Sequence, residues 1–336
     1  MMQNKKITAS DVALYAGVSR SAVSRAFTEG ASIDPIKQEK ILAAAKVLGY
    51  QPNFFARNLS TPTARKRSHL VAILVSGLSN PYESYLFEAL TTALQAHGKQ
   101  PILLNVKQAH DLENAIMQLS GYQVDGVIAI VGSLPVEYFS QCLKLSLPLV
   151  TLGRTDERGI IPSIQTDNIK AGEIAADYLL KQGSTKLGFV AGRVDGQASV
   201  ERLMGFQNRL LNKGGIIPIC LDAGSYDYQA GFAMAVQKSD DLHRLDGVFC
   251  ASDALAMGVI DCCRQILDIP IPRRLSVVGC DDVPMAAWQG YQLTTVAQPV
   301  VEIASNIIVL LEKIWAKSEN IHTHIRLEPY LQRRNT

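Results

Sequence analysis

Two arginines and two serines lie close together near the start of the chain. Arg20 and Ser21 are followed one helical turn later by Ser24 and Arg25, so a helix would present all four on one face. Guanidinium and hydroxyl groups can hydrogen-bond to base edges in a DNA major groove and to phosphate oxygens. The pattern favours contact with a nucleic acid. The alternative is an ordinary solvated helix face.

A second set of polar and aromatic residues lies in the rest of the chain, most of them after predicted strands. It contains Asn80, Tyr82, Arg154, Arg202, Tyr226, Asp253 and Asp281. A sugar or another polyhydroxyl ligand needs polar partners for its hydroxyls and a ring against its apolar face. Each residue alone is a weak signal, because an aspartate at a strand end is often a helix N-cap and Arg154 could form a structural ion pair. The N-cap alternative applies to Asp167, Asp253 and Asp282.

The first arginines and serines would be positioned by three short helices. The Thr8 to Asp11 spacing predicts a capped helix that begins near Ala9 and stops at Gly17, where a turn needs positive φ. Ser19 is a good N-cap for a second helix over about residues 20–28. Asp34 precedes a third helix that ends at Gly49. This order predicts a helix-turn-helix.

The charge distribution supports a polyanionic partner for the start of the chain. Residues 1–68 hold 11 basic and 4 acidic residues, a net charge of +7. Residues 69–336 hold 22 basic and 27 acidic residues, a net charge of −5. A basic segment of this kind is a candidate for contact with DNA or RNA.

From residue 69 onward, short runs rich in Val, Ile and Leu alternate with helical stretches. This alternation predicts parallel sheets covered by helices on both faces. About 265 residues of this pattern exceed one typical core, so we expect two Rossmann-like lobes with a ligand cleft beyond the strand ends. The predicted strands are Leu70–Val75, Pro101–Val106, Val124–Val131, Leu147–Leu152, Lys186–Ala191, Gly247–Ala251 and Leu275–Gly279, and the predicted helices are Tyr82–His97, Ile169–Gln182, Val200–Lys213 and Asp253–Ile266.

Several motifs carry a resemblance to a known family. TASDVALYAGVSRSAVSRAF followed by GYQPNFFARNLS resembles the lactose-repressor (LacI/GalR) family of bacterial transcription regulators. The resemblance continues through SNPY, TDNIKAG, RLMGF, ASDALAMG, LSVVGCDD and LTTVAQP. It implies a small all-α headpiece with a hinge helix, followed by an α/β two-lobed effector domain like that of periplasmic binding proteins.

The resemblance also implies roles for individual residues. Arg20, Ser21 and Arg25 match positions that read the operator in the major groove. Positions that contact the DNA backbone are matched by Thr8, Ser19, Ser24 and Asn53. Ala56 and Leu59 match hinge residues that enter the minor groove, where a leucine wedge can kink the duplex; a linker leucine packed on its own domain is the alternative. Asn80, Tyr82, Arg154, Arg202, Tyr226, Asp253 and Asp281 remain the expected effector contacts.

Two positions depart from the family pattern. Asp34 stands where hydroxyl residues are common, and its carboxylate would repel a nearby phosphate. The Phe54-Phe55 pair is bulky for a hinge helix and could strengthen hinge packing or alter the kink. We expect a homodimer on a pseudo-palindromic operator. The function implied is a ligand-responsive repressor of carbohydrate-related genes in the cytoplasm, associated with the nucleoid.

The expected domain boundaries follow from these motifs. Residues 1–52 would form the headpiece and 53–68 the hinge helix and linker. The effector-binding and dimerisation domain would cover 69–336. Its first lobe would comprise about 69–168 and 298–325, and its second about 169–297 and 326–336.

Other function classes find less support. An enzyme on the same scaffold is the first alternative, but no glycine-rich nucleotide loop, phosphate-binding loop or nucleophile elbow occurs. A transport binding protein would have no use for residues 1–60. The six cysteines form no C-x-x-C pair and are expected to be buried thiols in a reducing cytosol. Neither a metal site nor a cofactor is expected, and no signal peptide or membrane span is visible.

Overall fold

The chain forms two compact units in a computed structural model, Met1–Ser68 and His69–Thr336. The structure describes residues 7–28, 31–51, 68–75, 77–106, 109–130, 142, 147–153, 160–193, 196–316 and 324–336. The first unit contains helices α1 (Ala9–Ala16), α2 (Arg20–Ala26) and α3 (Pro35–Leu48). Their order and their starts are those predicted from the sequence, and α2 ends earlier than the expected residue 28.

Local capping explains where these helices begin and end. Thr8 and Asp11 form a reciprocal capping box, and Ser19 accepts a hydrogen bond from the Ala22 N–H at 3.2 Å. Gly17 adopts φ 65° between α1 and α2, a left-handed conformation that costs a glycine little. Asp34 caps α3 by accepting from the Lys37 N–H at 2.9 Å. The capping and turn predictions are therefore confirmed.

A small apolar core holds the three helices together. It consists of Val12, Ala13, Ala16, Ala22, Val23, Ala26, Ile41, Ala44 and Ala45. Most of these side chains are alanine or valine, which lets the helices approach closely. The edge of the core is closed by Phe27 and Tyr50, whose ring centroids lie 5.8 Å apart in an edge-to-face arrangement. This packing fixes which face of α2 is exposed.

The second unit contains two six-stranded sheets. The first sheet has the order β11-β5-β4-β3-β1-β2, and all its strand pairs are parallel. Its strands are β1 (Leu70–Val75), β2 (Gln100–Asn105), β3 (Gly126–Ile130), β4 (Leu149–Leu152), β5 (Ser163–Thr166) and β11 (His324–Leu327). The expected doubly covered parallel architecture is confirmed.

Alternate residues of β1 enter two different cores. Val71, Ile73 and Val75 pack against helices α4 (Pro81–Ala96) and α11 (Val300–Trp315). Leu70, Ala72 and Leu74 face the opposite side, where α5 (Ala109–Gly121) covers the sheet. Because side chains alternate along a strand, the LVAILV run of β1 is buried on both faces.

The second sheet has the order β12-β10-β9-β8-β6-β7 and one antiparallel pair, β10 with β12. Its strands are β6 (Leu187–Ala191), β7 (Ile219–Asp222), β8 (Gly247–Cys250), β9 (Ser276–Asp281), β10 (Thr294–Ala297) and β12 (Tyr330–Gln332). The helices of this part are α6 (Asn168–Lys181), α7 (Gln197–Gly214), α8 (Tyr228–Gln237), α9 (Ser239–Arg244) and α10 (Asp253–Gln265), with a short 3-10 turn at Pro284–Ala287.

The chain passes between the two sheets three times. It leaves the first sheet after β5, returns to its side after β10, and crosses again between β11 and β12. The last crossing follows Leu327, two residues after the expected lobe boundary at 325/326. Residues at these crossings lie beside both lobes and can contact a ligand held between them.

Two further sequence expectations concern cysteines and membranes. Five cysteines are buried as expected, but Cys220 is exposed, because β7 is an edge strand with one side chain of four buried. Among the residues that the structure describes, no helix is both long and apolar enough to cross a bilayer.

Candidate functional sites

The α2 helix divides cleanly into a packed face and an exposed face. Ala22, Val23 and Ala26 are buried in the small apolar core that holds the three helices together. On the opposite side, Arg20, Ser21, Ser24 and Arg25 are all exposed. The short side chains of the buried face hold α2 close to its neighbours, and the long cationic side chains of the exposed face extend away from them. The structure therefore brings the predicted base-reading residues together on one accessible surface.

Two of the hydroxyls predicted to contact the DNA backbone, those of Thr8 and Ser19, already make local hydrogen bonds. The Thr8 hydroxyl donates to a carboxylate oxygen of Asp11 at 2.6 Å. The Ser19 and Ser21 hydroxyl oxygens lie 2.9 Å apart, so one donates to the other. Ser19 and Thr8 thus hold the starts of α2 and α1 in addition to any phosphate contact. Asn53, Ala56 and Leu59 lie outside the described residues.

A cavity of about 290 Å³ lies between the two lobes of the second unit. Its lining includes the end of β3 at Ile130, the end of β4 at Leu152, and the end of β9 at Asp281. Such a position, beyond the carboxyl ends of parallel strands, is where α/β folds bind ligands. The remaining described lining residues are Asn80, Tyr82, Glu83, Leu86, Gly153, Ile164, Gln165, Thr166, Asn168, Arg193, Gly196, Gln197, Ala198, Arg202, Tyr226, Ser252, Gln298 and Ile303.

Gln298 links the two lobes inside this cavity. Its side-chain oxygen accepts from the Tyr82 hydroxyl at 2.9 Å and from the Thr166 hydroxyl at 2.8 Å. Its Nε2 donates to Asp281 Oδ1 at 2.6 Å. Gln298 follows β10 at one of the crossings, which places its amide between the lobes. The amide therefore joins a tyrosine of the first lobe to a carboxylate of the second.

Arg202 continues this network into the second lobe. Its Nε donates to Asn168 Oδ1 at 2.9 Å, and its Nη1 donates to the Ala251 carbonyl oxygen. Nη1 also lies 3.9 Å from Asp281 Oδ1, and the two side chains are only 6% and 4% exposed. Buried charges need such partners, because removing an ion from water is costly. The guanidinium is thus held in one orientation at the cavity wall.

Burial raises the pKa values of two groups around Arg202. Burial raises the pKa of the Tyr82 hydroxyl, and the nearby Asp281 carboxylate raises it further. Burial also raises the pKa of Asp281 above its ordinary value, although the charge of Arg202 and the Gln298 hydrogen bond oppose the rise. Tyr82 therefore remains a neutral hydrogen-bond donor at any physiological pH.

Tyr226 forms an aromatic wall of the cavity. Its hydroxyl donates to Ser199 Oγ at 3.0 Å, and Ser199 Oγ also accepts from the Gly192 N–H at 3.1 Å. A Cβ at Gly192 would lie 2.4 Å from the Tyr226 ring, and one at Gly196 would lie 2.6 Å from its hydroxyl oxygen. Glycine at both positions makes room for the ring, which offers an apolar face to a bound molecule.

The structure brings five predicted effector residues together, and one described residue stands apart. Asn80, Tyr82, Arg202, Tyr226 and Asp281 all line the cavity. Asp253 does not; it is fully buried, and its carboxylate lies behind the cavity wall. Arg154 lies outside the described residues. Of the aspartates with an N-cap alternative, only Asp167 caps a helix, by accepting from the Lys170 N–H at 3.0 Å.

Several polar residues that line the cavity were not among the expected effector contacts: Glu83, Gln165, Thr166, Asn168, Arg193, Gln197, Ser252 and Gln298. Thr166 and Asn168 lie inside the TDNIKAG motif, and Gln298 lies inside LTTVAQP, yet none of the three was selected as a site residue. The signal that could have found them is their position at the crossings after β10 and β5, where a polar side chain interrupts apolar runs. Single-sequence patterns did not reveal that these two crossings meet.

Comparisons with known proteins identify the family of the chain. A family model described as bacterial regulatory proteins of the lacI family matches residues 8–53. A second model, a periplasmic binding protein-like domain, matches residues 176–336. An HTH-type transcriptional regulator, RegA of Clostridium saccharobutylicum, is 31% identical over 314 residues, which cover 92% of each chain. The chain belongs to the LacI family. It is a DNA-binding transcriptional regulator with a ligand-binding domain.

Other relatives and solved structures cover the chain as completely. Catabolite control protein A of Priestia megaterium is 27% identical over 93% of each chain. A CelR–cellobiose complex matches at TM-score 0.70 and 27% identity, covering 98% of this chain and 99% of that one. The lac repressor dimer bound to operator matches at TM-score 0.85 with 22% identity and 99% coverage of both chains, and it shows the shared fold. The predicted family and architecture are confirmed.

Proposed function

We propose that this LacI-family regulator is a repressor of carbohydrate-related genes that binds a pseudo-palindromic operator as a homodimer in the cytoplasm, at the nucleoid. The observation that carries this proposal is the pairing of an exposed Arg/Ser face on α2 with a polar, aromatic-walled cavity in the second unit. Relatives named as sucrose and ribose operon repressors support the gene class. The solved lac repressor dimer on its operator supports the assembly.

The base-reading role belongs to Arg20, Ser21 and Arg25 in this proposal. Arg20 and Arg25 can each donate several hydrogen bonds in the major groove, where an arginine pairs best with guanine. Thr8, Ser19, Ser24 and Asn53 contact phosphates, which position the head but carry little sequence information. Because base contacts and phosphate contacts differ in this way, substitutions in the two groups should change specificity and overall affinity separately.

The hinge residues Ala56 and Leu59 complete the DNA contact in the proposal. Leu59 inserts between base pairs in the minor groove and bends the duplex. The bend distinguishes this role from that of a packed linker leucine. A Leu59→Ala variant should bind an operator with a smaller bend and retain ligand binding, and an unchanged bend in a phasing assay would remove the wedge role.

The effector we propose is an uncharged sugar or sugar derivative. The described lining residues include two cations (Arg193 and Arg202) and two carboxylates (Glu83 and Asp281), so the described part of the cavity wall has no excess charge. Hydroxyl groups can replace the bonds that Tyr82 and Gln298 now make with each other, and Tyr226 offers a ring for stacking. The solved relatives with cellobiose, ribose or D-xylulofuranose bound support this ligand class.

Sugar binding and operator binding are coupled reciprocally in this proposal. A coupling free energy of about 1–3 kcal/mol would change operator affinity by one to two orders of magnitude. The same protein should leave the sugar chemically unchanged, because its role is to sense the molecule and not to convert it. Conversion of a bound sugar by the purified chain would contradict this non-enzymatic role.

The test of the proposed function uses the full-length protein. Fragments selected from the genome by binding should compete better than random duplex of equal length, and a thermal-shift screen should find sugars that stabilise the protein. Phosphorylated sugars serve as the charged comparison, and we expect them to bind more weakly than their neutral forms. Arg202→Ala should remove the ligand shift while operator selection persists. Absence of any preferred genomic fragment would contradict the proposal.

A further inference from the structure

A buried carboxylate lies one layer behind the cavity. Asp253 is 0% exposed. One of its oxygens accepts from the Val283 backbone N–H at 2.9 Å, and the other accepts from the Thr295 hydroxyl at 2.5 Å. Val283 follows β9 and Thr295 belongs to β10, whereas Asp253 is the first residue of α10. The carboxylate therefore ties the start of α10 to the turn between two neighbouring strands.

That turn has an unusual backbone. Asp281 has φ 132° and Asp282 has φ 58°, so two consecutive residues with side chains occupy positive φ. Such conformations cost on the order of 1–3 kcal/mol each and persist only when surrounding groups hold them. The Asp282 N–H approaches Thr295 Oγ1 at 3.4 Å, the same hydroxyl that donates to Asp253. Asp253 is thus connected to two backbone N–H groups of the turn. It accepts directly from the Val283 N–H, and it is linked to the Asp282 N–H through the Thr295 hydroxyl.

The main chain of Asp253 also acts on Asp281. It lowers the pKa of the Asp281 carboxyl, whose Oδ1 accepts from Gln298 in the cavity. A Cβ at Gly279 would lie 2.2 Å from Asp253 Oδ1, so glycine in β9 leaves the room that this carboxylate occupies. The Asp253 side chain therefore acts on the end of the 281–283 segment, at Val283. Its main chain acts on the beginning of the same segment, at Asp281.

We propose that Asp253 is a positioning residue for effector binding: its carboxylate fixes the backbone of Asp281, Asp282 and Val283 and so aims the Asp281 carboxylate at the cavity. Asp253 does not touch the ligand. The ligand part of this inference rests on the proposed sugar-sensing function. The backbone part stands without it, because it rests on the hydrogen bonds that Asp253 and Thr295 make at the turn.

Hydrogen exchange of the full-length protein tests the backbone part. In Asp253→Ala and in Thr295→Val, the amides of Asp282 and Val283 should exchange at least about tenfold faster than in the wild type. Thr295→Ser keeps the hydroxyl and should restore slow exchange. Asp246→Ala is the matched control, because Asp246 accepts from the Thr185 and Lys186 N–H groups at another turn of the same lobe. It should speed exchange there and leave residues 282 and 283 unchanged.

Isothermal titration with D-ribose, cellobiose and sucrose tests the ligand part. For any of these sugars that binds the wild type, Asp253→Ala and Thr295→Val should weaken binding at least about tenfold, while Thr295→Ser and Asp246→Ala bind as the wild type does. Operator binding without sugar should be retained in all four variants. A general loss of stability would weaken sugar binding and operator binding together, so it would not produce this difference.

The outcomes separate the two proposals. If residues 282 and 283 stay as protected in Asp253→Ala and Thr295→Val as in the wild type, the positioning role is wrong. Unchanged sugar affinity in both variants overturns it equally. If none of the three sugars binds the wild type, the proposed ligand class is in error for them, while the exchange experiment still decides whether Asp253 holds the turn. Should Asp253→Ala fail to fold, Thr295→Val and Thr295→Ser carry the comparison.

Discussion

The helical head and the domain of residues 69–336 expose their functional groups in opposite ways. In the head, Arg20, Ser21 and Arg25 lie on a surface that contributes nothing to the apolar core. In the larger domain, Arg202 and Asp281 are buried and bonded to their neighbours. Function and stability are therefore separable at the base-reading residues of α2 and coupled in the cavity. Substitutions should reveal this contrast directly.

The largest effect is expected for Arg202→Ala. This change leaves the Asp281 carboxylate buried without its cation, and breaking a buried pair in this way costs about 3–5 kcal/mol. The free energy of unfolding in urea should fall by that amount, and the thermal response to sugars should disappear. The matched control is Arg209→Ala on the same helix, where the arginine pairs with Asp177 on the surface. Equal, small changes in both variants would contradict the buried role of Arg202.

Arg20→Ala should have an intermediate effect that is confined to DNA. Loss of a bidentate base contact should weaken operator binding by about 1–3 kcal/mol and relax preference at one half-site position. The unfolding free energy should be unchanged, because the side chain is exposed. Lys46→Ala removes the same charge from the exposed surface of α3 and should weaken all sequences alike. An Arg20→Ala effect that is uniform across sequences would assign this residue to phosphate contact only.

Thr8→Ala should produce a smaller change that is local to the head. The hydroxyl accepts from Asp11 N and donates to the Asp11 carboxylate, and the loss of such a cap costs about 1 kcal/mol. Hydrogen exchange in α1 should accelerate accordingly, while amides in the second unit keep their rates. Thr8→Ser retains the cap and should restore the wild-type rates. Acceleration spread over both units would show that the two are not independent in stability.

The smallest effect is a pH dependence in the larger domain. Burial raises the pKa of Asp253 and of Asp281 above the ordinary value of 3.8. Because the folded state then holds these protons more tightly than the unfolded chain, their contribution stabilises the protein at low pH and is lost as the pH rises through the raised pKa values. Asp253→Asn should reduce that loss, as seen in melting temperatures taken from pH 4 upward.

A carboxylate of opposite behaviour provides the control for this experiment. Hydrogen bonds from Arg209 and Lys213 lower the pKa of Asp177 to about 2. Its stabilising contribution is present above the ordinary carboxyl pKa and is lost as the pH falls toward 2. Asp177→Asn should therefore lower the melting temperature above about pH 4 and differ little from the wild type near pH 2. If the melting temperature depends on pH in the same way in the wild type and in Asp253→Asn, burial does not retain a proton on Asp253 or Asp281.

The sequence was most informative where local chemistry decides the structure. The caps at Thr8, Ser19 and Asp34, and the glycine at residue 17, were predictable because each acts on its nearest neighbours. The apolar strands were predictable for a similar reason. Strands β5, β7, β10, β11 and β12 are not among the seven predicted strands, because they are short and carry polar or exposed residues that match no apolar pattern.

Many residues of the cavity could be predicted from the sequence, but their arrangement in space could not. Five of its residues were identified from the chemistry of sugar recognition and from motif positions, but Gln298 was not, since its importance depends on two chain crossings that come together. Asp253 shows that the chemical type of a residue does not determine what it contacts. Its residue type suited a ligand contact, whereas the fold places its carboxylate against Val283 and Thr295.

The most direct test is a competition titration of the full-length protein with labelled genomic fragments, against unlabelled random duplex, in the presence and absence of D-ribose, cellobiose and sucrose. The account predicts a fragment that random duplex displaces poorly, and at least one sugar that shifts its apparent Kd by about tenfold, which corresponds to about 1.4 kcal/mol of coupling. Equal displacement of every fragment by random duplex, with and without each sugar, would contradict it.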